Sequence, residues 1–179
     1  MNSIYTAEQV RAFEENSFIE EGDDLQAMME AAKQSVEILN RDFAKSEFII
    51  LCGPGNNGGD GYFIGIGLSE LNKRVRFIDV LSRAKKSSLC EHAFKAAKHL
   101  EFISAKKLKD VSCKTVIVDA IFGIGGRIDL GSKLKEIVSD CDRFESKIAI
   151  DVPTGLDSNT GEISQACFNA DKTITFIGY

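Results

Sequence analysis

The stretch Cys52–Tyr62, reading C-G-P-G-N-N-G-G-D-G-Y, constrains the fold more than any other part of the chain. An apolar run, Phe48-Ile49-Ile50-Leu51, leads into it, and a segment of helical character, Phe63 to Leu71, follows. That order predicts a strand, a glycine turn and a helix. Gly53, Gly55 and Gly58 satisfy G-x-G-x-x-G, and Asp79 closes the next predicted strand about 20 residues later, as a dinucleotide-binding unit requires. Glycines let the backbone turn sharply and approach a pyrophosphate, whose charge a helix N-terminus welcomes. Asn56, Asn57 and Asp60 depart from that simple cradle. A carboxylate beside phosphate is repulsive unless it holds a cation, a sugar hydroxyl or backbone amides. The loop is therefore expected to do more than grip a diphosphate.

Around this stretch, strand and helix signals alternate. Thr6-Ala7-Glu8-Gln9 has the form of a helix start, Thr6 capping and Gln9 answering three positions on. A second helix is predicted after Gly22, with Asp23 or Asp24 as cap and Leu25, Met28, Met29, Ala32, Val36 and Leu39 on its packed face. The helix after the glycine loop carries Ile64, Leu68 and Leu71, with Gly65 and Gly67 inside it. Interior glycines are tolerable where a helix presses close against a sheet or ligand. Strands are predicted at 75–80, 115–119, 147–151 and 173–176, with a short one at 101–103. Helices are predicted at 87–100, with Leu89, Ala93, Ala96, Ala97 and Leu100 inward, and at 130–139; Leu108 to Val111 reads as a loop or short helix.

Nearly all-apolar strands alternating with helices predict an α/β fold, a three-layer αβα Rossmann-like arrangement with a mostly parallel sheet and helices on both faces. In such sheets ligands bind outside the carboxyl ends of the strands. Three predicted strands end in chemistry there: Gly53–Gly61, Asp119–Gly126 and Asp151–Asp157. Asn57, Asp119 and the Thr154 hydroxyl offer oxygen ligands alone, which suits a hard cation rather than zinc.

Composition excludes several function classes. A chain of 179 residues with formal net charge −5 is a poor match to nucleic acid or an anionic membrane, which call for clustered Lys and Arg. Lys106-Lys107-Leu108-Lys109 reads as a solvated helix face. The 5 cysteines are scattered, with no C-x-x-C, so neither a zinc site nor a thioredoxin motif is supported. Cys52 reads as a small core residue. With no secretory signal or membrane-length apolar run, a soluble, cytoplasmic protein is expected.

The set G-P-G-N-N-G-G-D-G, D-A-I-F-G-I-G and I-D-V-P-T-G-L-D-S-N-T-G resembles the YjeF N-terminal domain family, the NAD(P)H-hydrate epimerases. Tyr5-Thr6-Ala7-Glu8-Gln9 also looks like that family's opening helix, and the likeness runs from about Tyr5 to Phe176. The resemblance implies an isomerase of nicotinamide-nucleotide repair. Its substrate is NADHX or NADPHX, the cofactor damaged by water addition across the 5,6 double bond, and it interconverts the R and S epimers at C6. An NAD(P)HX dehydratase acting on one epimer is the implied functional partner, and a homodimer the implied state.

Carried over position by position, the resemblance places substrate contacts at Asn56, Asn57, Gly58, Gly59 and Asp60. Further contacts fall at Gly123, Ile124, Gly125, Gly126, Arg127, Ile128 and Asp129, and at Asp151. It places one potassium ion per subunit on Asn57, Asp119 and Thr154. Asp151 is assigned here as the catalytic acid and base, because one carboxyl able to give and take a proton serves both directions. His92 and His99 fall on a predicted helix surface and are not candidates.

Thr154 stands where the family usually has serine, Ile124 where it commonly has threonine, and Lys33 where it tends to have glycine. Residues 1–179 are expected to form one domain. It is expected to lack the last helix and strand of typical members and any C-terminal dehydratase domain. One rival reading is a non-catalytic nucleotide- or ligand-binding module of the same fold. Another is an NAD-dependent oxidoreductase, for which no catalytic His, Tyr-x-x-x-Lys or second domain is visible.

Overall fold

A computed structural model describes Gln9 and residues 24–124 and 129–176. The expected opening helix at Thr6 lies outside these, apart from Gln9, which is helical. In chain order the elements are α1 (Asp24–Asp42), β1 (Phe48–Cys52), α2 (Asn56–Glu70), β2 (Val75–Asp79), α3 (Ser88–Ala97) and β3 (Glu101–Phe102). A 3-10 turn, Ala105–Asp110, leads to β4 (Val116–Ala120) and α4 (Ser132–Asp140). A second, Cys141–Arg143, leads to β5 (Ser146–Ile150), and β6 (Lys172–Ile174) is last.

The strands form one 6-stranded sheet in the order β3-β2-β1-β4-β5-β6. Every pairing is parallel. Right-handed crossovers decide where the helices go. The chain moves outward from β1 to β2 to β3, so α2 and α3 share one face. It then moves the opposite way from β4 to β5, so α4 lies on the other. The two cores follow the strand alternation. Phe48, Ile50 and Cys52 face α1, α2 and α3, whereas Ile49 and Leu51 face α4 and the 3-10 turns.

α1 buries Met28, Ala32, Val36 and Leu39 on one stripe, and each larger side chain so buried contributes roughly 1.5–3 kcal/mol. Met29, expected in that stripe, is 50% exposed. Leu71 caps α2 and is also exposed, and Ala96 faces solvent while Cys90 is buried in its helix. These are misassignments of one position on a turning surface, where neighbours along the sequence face about 100° apart.

α2 begins at Asn56, seven residues before the helical segment expected from Phe63. The amides of Gly58 and Gly59 donate back to the Gly55 carbonyl at 3.0 and 3.3 Å, so the second half of the glycine stretch is already helix. Gly and Asn are weak helix formers, and tertiary packing overrides that weakness. A β-carbon at Gly65 would stand 2.2 Å from the Phe77 ring, so the helix lies directly on the sheet.

Candidate active site

β1 and β4 are neighbours from which the chain departs in opposite directions. That reversal opens a crevice at the carboxyl edge of the sheet. The segments following β1, β4 and β5 all meet there, as the sequence predicted.

Asp119, in β4, is completely buried. Its Oδ1 accepts from the Ile121 amide (3.1 Å) and the Thr154 hydroxyl (2.8 Å), and its Oδ2 from the Thr154 amide (2.7 Å). Thr154 presents both groups because the chain turns there, the Leu156 amide donating to the Pro153 carbonyl at 3.1 Å and Gly155 adopting φ 94°. Burial pushes the Asp119 carboxyl up to about 6, against the opposing pull of these hydrogen bonds.

Asn57 sits in the first turn of α2 and is buried. Its Nδ2 donates to the Ile150 carbonyl at the end of β5 (3.1 Å), whereas its Oδ1 is buried with no partner among the described residues. A buried carbonyl oxygen left without a donor is costly. The Thr154 hydroxyl gives its hydrogen to Asp119, which leaves its lone pairs for another electrophile. The donor set therefore fits a cation. Among the described residues no group of three His, Cys, Asp or Glu side chains could hold a metal.

Asp151 follows β5 directly and adopts φ 66°, a left-handed conformation that costs a non-glycine residue about 1–2 kcal/mol. Two bonds hold it there. Its amide donates to the Ile174 carbonyl (2.7 Å), and its Oδ2 accepts from the Ile124 amide (2.7 Å). Burial raises its carboxyl above the usual range, and the Ile124 bond partly offsets this. Gly123 lies against the same oxygen, and its nearest neighbours include Asn57.

Asn56 is exposed at the start of α2 and Asp60 is half-buried one turn on. Gly58 and Gly59 are buried within the helix. Gly125, Gly126, Arg127 and Ile128 lie outside the described residues. Asp129 is exposed, 3.9 Å from Lys135. His92 and His99 are exposed, and Cys52 is buried, which pushes its thiol well up.

Two contacts escaped sequence reasoning. The Ser87 hydroxyl donates to Asn56 Oδ1 (2.7 Å) and accepts from the Cys90 amide (3.2 Å), so the cap of α3 also fixes the asparagine that begins α2. Asp79 is paired with Lys86 at 2.8 Å, both side chains being largely buried. The acid that completes the dinucleotide-binding pattern is thus held in an ion pair. A serine before an apolar helix signals a cap, but nothing local signals its second partner.

No described helix is long and apolar enough to cross a membrane. A profile of the family described as YjeF-related protein N-terminus matches residues 25–179. A protein of Leuconostoc citreum named NAD(P)H-hydrate epimerase is 34% identical over 153 residues, covering 83% of this chain and 67% of that protein. A Weissella koreensis protein of the same name is 31% identical over 179 residues, covering 98% of this chain and 81% of that one. The crystal structure of yeast ynu0 shares the fold, with a TM-score of 0.80 at 24% identity over 96% of this chain and 79% of that one.

Proposed function

The chain belongs to the family of YjeF-related protein N-termini, and from that premise we propose that it is an NAD(P)H-hydrate epimerase interconverting the R and S epimers of NADHX or NADPHX at C6. The observation that carries this reading is the buried Asp151 carboxyl, held in a strained backbone at the crevice with its proton affinity raised. Strain of this kind is kept where the surrounding structure over-determines it, often at functional sites.

The raised proton affinity suits both halves of the reaction. Protonated Asp151 gives its proton to the C6 hydroxyl, which leaves as water while the ring-nitrogen lone pair forms an iminium. Water then adds to C6 from the opposite face and returns a proton to Asp151. No atom or charge is gained or lost. The substrate diphosphate lies at the N-terminus of α2, where no side chain caps the helix. Asn56 to Asp60, Gly123, Ile124 and Asp151 contact the nucleotide in this reading.

Asn57, Asp119 and Thr154 hold a potassium ion in this reading. Bound there, it would supply positive charge against the buried Asp119 carboxylate. A dehydratase specific for one epimer completes the repair.

The test uses enriched R epimer of NADPHX in potassium buffer, with the R/S ratio followed by chromatography. Approach to equilibrium well above the uncatalysed rate, abolished in Asp151→Ala, is expected. A wild-type rate equal to the uncatalysed rate overturns the reading, and bound nucleotide without turnover leaves a binding module.

A further inference from the structure

The order of strands across the sheet fixes which part of a dinucleotide lies where. Asp151 follows β5, the uncapped end of α2 follows β1, and β2 flanks β1 on the side away from β5. Three strand spacings of about 4.8 Å separate β5 from β2, roughly 14 Å in all. With the reacting ring at Asp151 and the diphosphate at α2, the adenosine ribose comes to the turn that follows β2.

In a site built for an unphosphorylated ribose, an acid at the end of that strand accepts the hydroxyls, and an arginine nearby serves a 2′-phosphate instead. Asp79 occupies the acid's position and is ion-paired there. Lys86 Nζ lies 2.8 Å from its Oδ2, and the two side chains are 6% (Lys86) and 13% (Asp79) exposed. Its Oδ1 is buried with no hydrogen-bond partner among the described residues, and the Lys86 ammonium packs over the Phe94 ring at 4.6 Å. The pairing leaves the turn without the net negative charge that would repel a phosphate.

The turn itself offers the opposite charge. Arg83 and Lys85 are exposed, and among the described residues neither has an ion-pair partner. The turn is not loose. The Ala84 amide donates to the Leu81 carbonyl (2.8 Å), and the Ser87 amide to the Pro54 carbonyl (2.9 Å). The Ser87 hydroxyl bonds Asn56 at 2.7 Å. The cations are thus carried on a segment fastened to the loop that begins α2.

We infer that Arg83 and Lys85 read the 2′-phosphate of the adenosine ribose, so that the protein takes NADPHX in preference to NADHX. The inference rests on the epimerase reading for the substrate and its placement, and binding of adenosine 2′,5′-bisphosphate tests the phosphate contact by itself. Guanidinium and ammonium groups make charge-assisted hydrogen bonds to phosphate, the arginine in a two-pronged fashion.

The test titrates the protein calorimetrically with adenosine 2′,5′-bisphosphate and with adenosine 5′-monophosphate, and compares kcat/KM for NADPHX and NADHX. Wild-type protein is expected to favour the 2′-phosphorylated member of each pair by roughly tenfold or more, as one charged hydrogen bond provides. The Arg83→Ala/Lys85→Ala double variant brings both ratios close to one, and Arg83→Glu/Lys85→Glu inverts them. A wild-type binding ratio near one, or a ratio that survives the double substitution, overturns the inference. Loss of the ratio in the double variant with no epimerisation of either substrate by wild type supports the phosphate contact and sinks the epimerase reading instead.

Discussion

The Asp151 carboxylate leaves no room for a side chain at Gly123: a β-carbon there would stand 2.2 Å from Oδ2. Gly123 and Asp151 follow different strands, and the Ile124 amide, one residue on, donates to that same oxygen. The second glycine loop therefore sets the position of the proposed acid.

Gly123→Ala is expected to push the carboxylate aside without unfolding the sheet. A displacement near 1 Å can cost about 100-fold in rate. The epimerisation rate should fall by that order while the thermal midpoint changes by a few degrees. Unchanged turnover would mean that Asp151 needs no such placement.

Thr154→Val removes the hydroxyl that Asp119 accepts from at 2.8 Å. Leaving a buried carboxylate short of a donor costs about 1–3 kcal/mol, whereas Thr154→Ser keeps the bond. Urea denaturation should separate the two. Potassium is expected to stabilise wild type and the Ser variant by mass action, and the Val variant much less. Equal responses would remove Thr154 from the cation site.

The pH dependence of stability has a defined sign. Burial raises Asp119 to about 6 and Asp151 above its ordinary value, so the folded state holds these protons more tightly than the unfolded chain. In potassium-free buffer, unfolding free energy should therefore fall as pH rises from about 4 to about 6, by at most about 3 kcal/mol for Asp119. Below that window the penalty is absent, and above it the penalty is complete. Potassium should flatten the fall, because a bound cation favours the ionised carboxylate. A rise with pH in the potassium-free buffer would contradict this account.

Tyr62 is fully buried, and its hydroxyl has no hydrogen-bond partner among the described residues. Its ring packs at 5.3 Å from Phe77 and 5.5 Å from Phe94. Tyr62→Phe keeps those contacts and deletes an unsatisfied polar group, so stability should hold or rise by about 1 kcal/mol. A loss above 1 kcal/mol would show that the hydroxyl is bonded in solution.

How much of this was legible in the sequence depended on the range of the interactions. The apolar runs around Ile49, Ile117 and Ile148 marked strands because burial on both faces leaves a local signature. The glycine-rich stretch and the strand-end acids Asp119 and Asp151 marked the functional edge, since ligands collect at strand termini in parallel sheets. Family resemblance then named the residues to examine. The early start of α2 was not legible, because Asn and Gly carry poor helix propensity, and the close approach of Gly59 to Met28 and of Gly61 to Ala120 is a tertiary contact.

By itself, the sequence determined that strands and helices alternate, that the sheet is parallel, and which loops meet at its carboxyl edge. Those properties follow from periodicity and residue type, which act over a few neighbours. Only the tertiary structure decided that Asp119 and Thr154, 35 positions apart, share two hydrogen bonds. It also decided that Asn57 reaches Ile150 across 93 positions, and that Asp79 pairs with Lys86. Strand order brings these groups together, and strand order is set by how two apolar faces are best covered, a property of the whole chain.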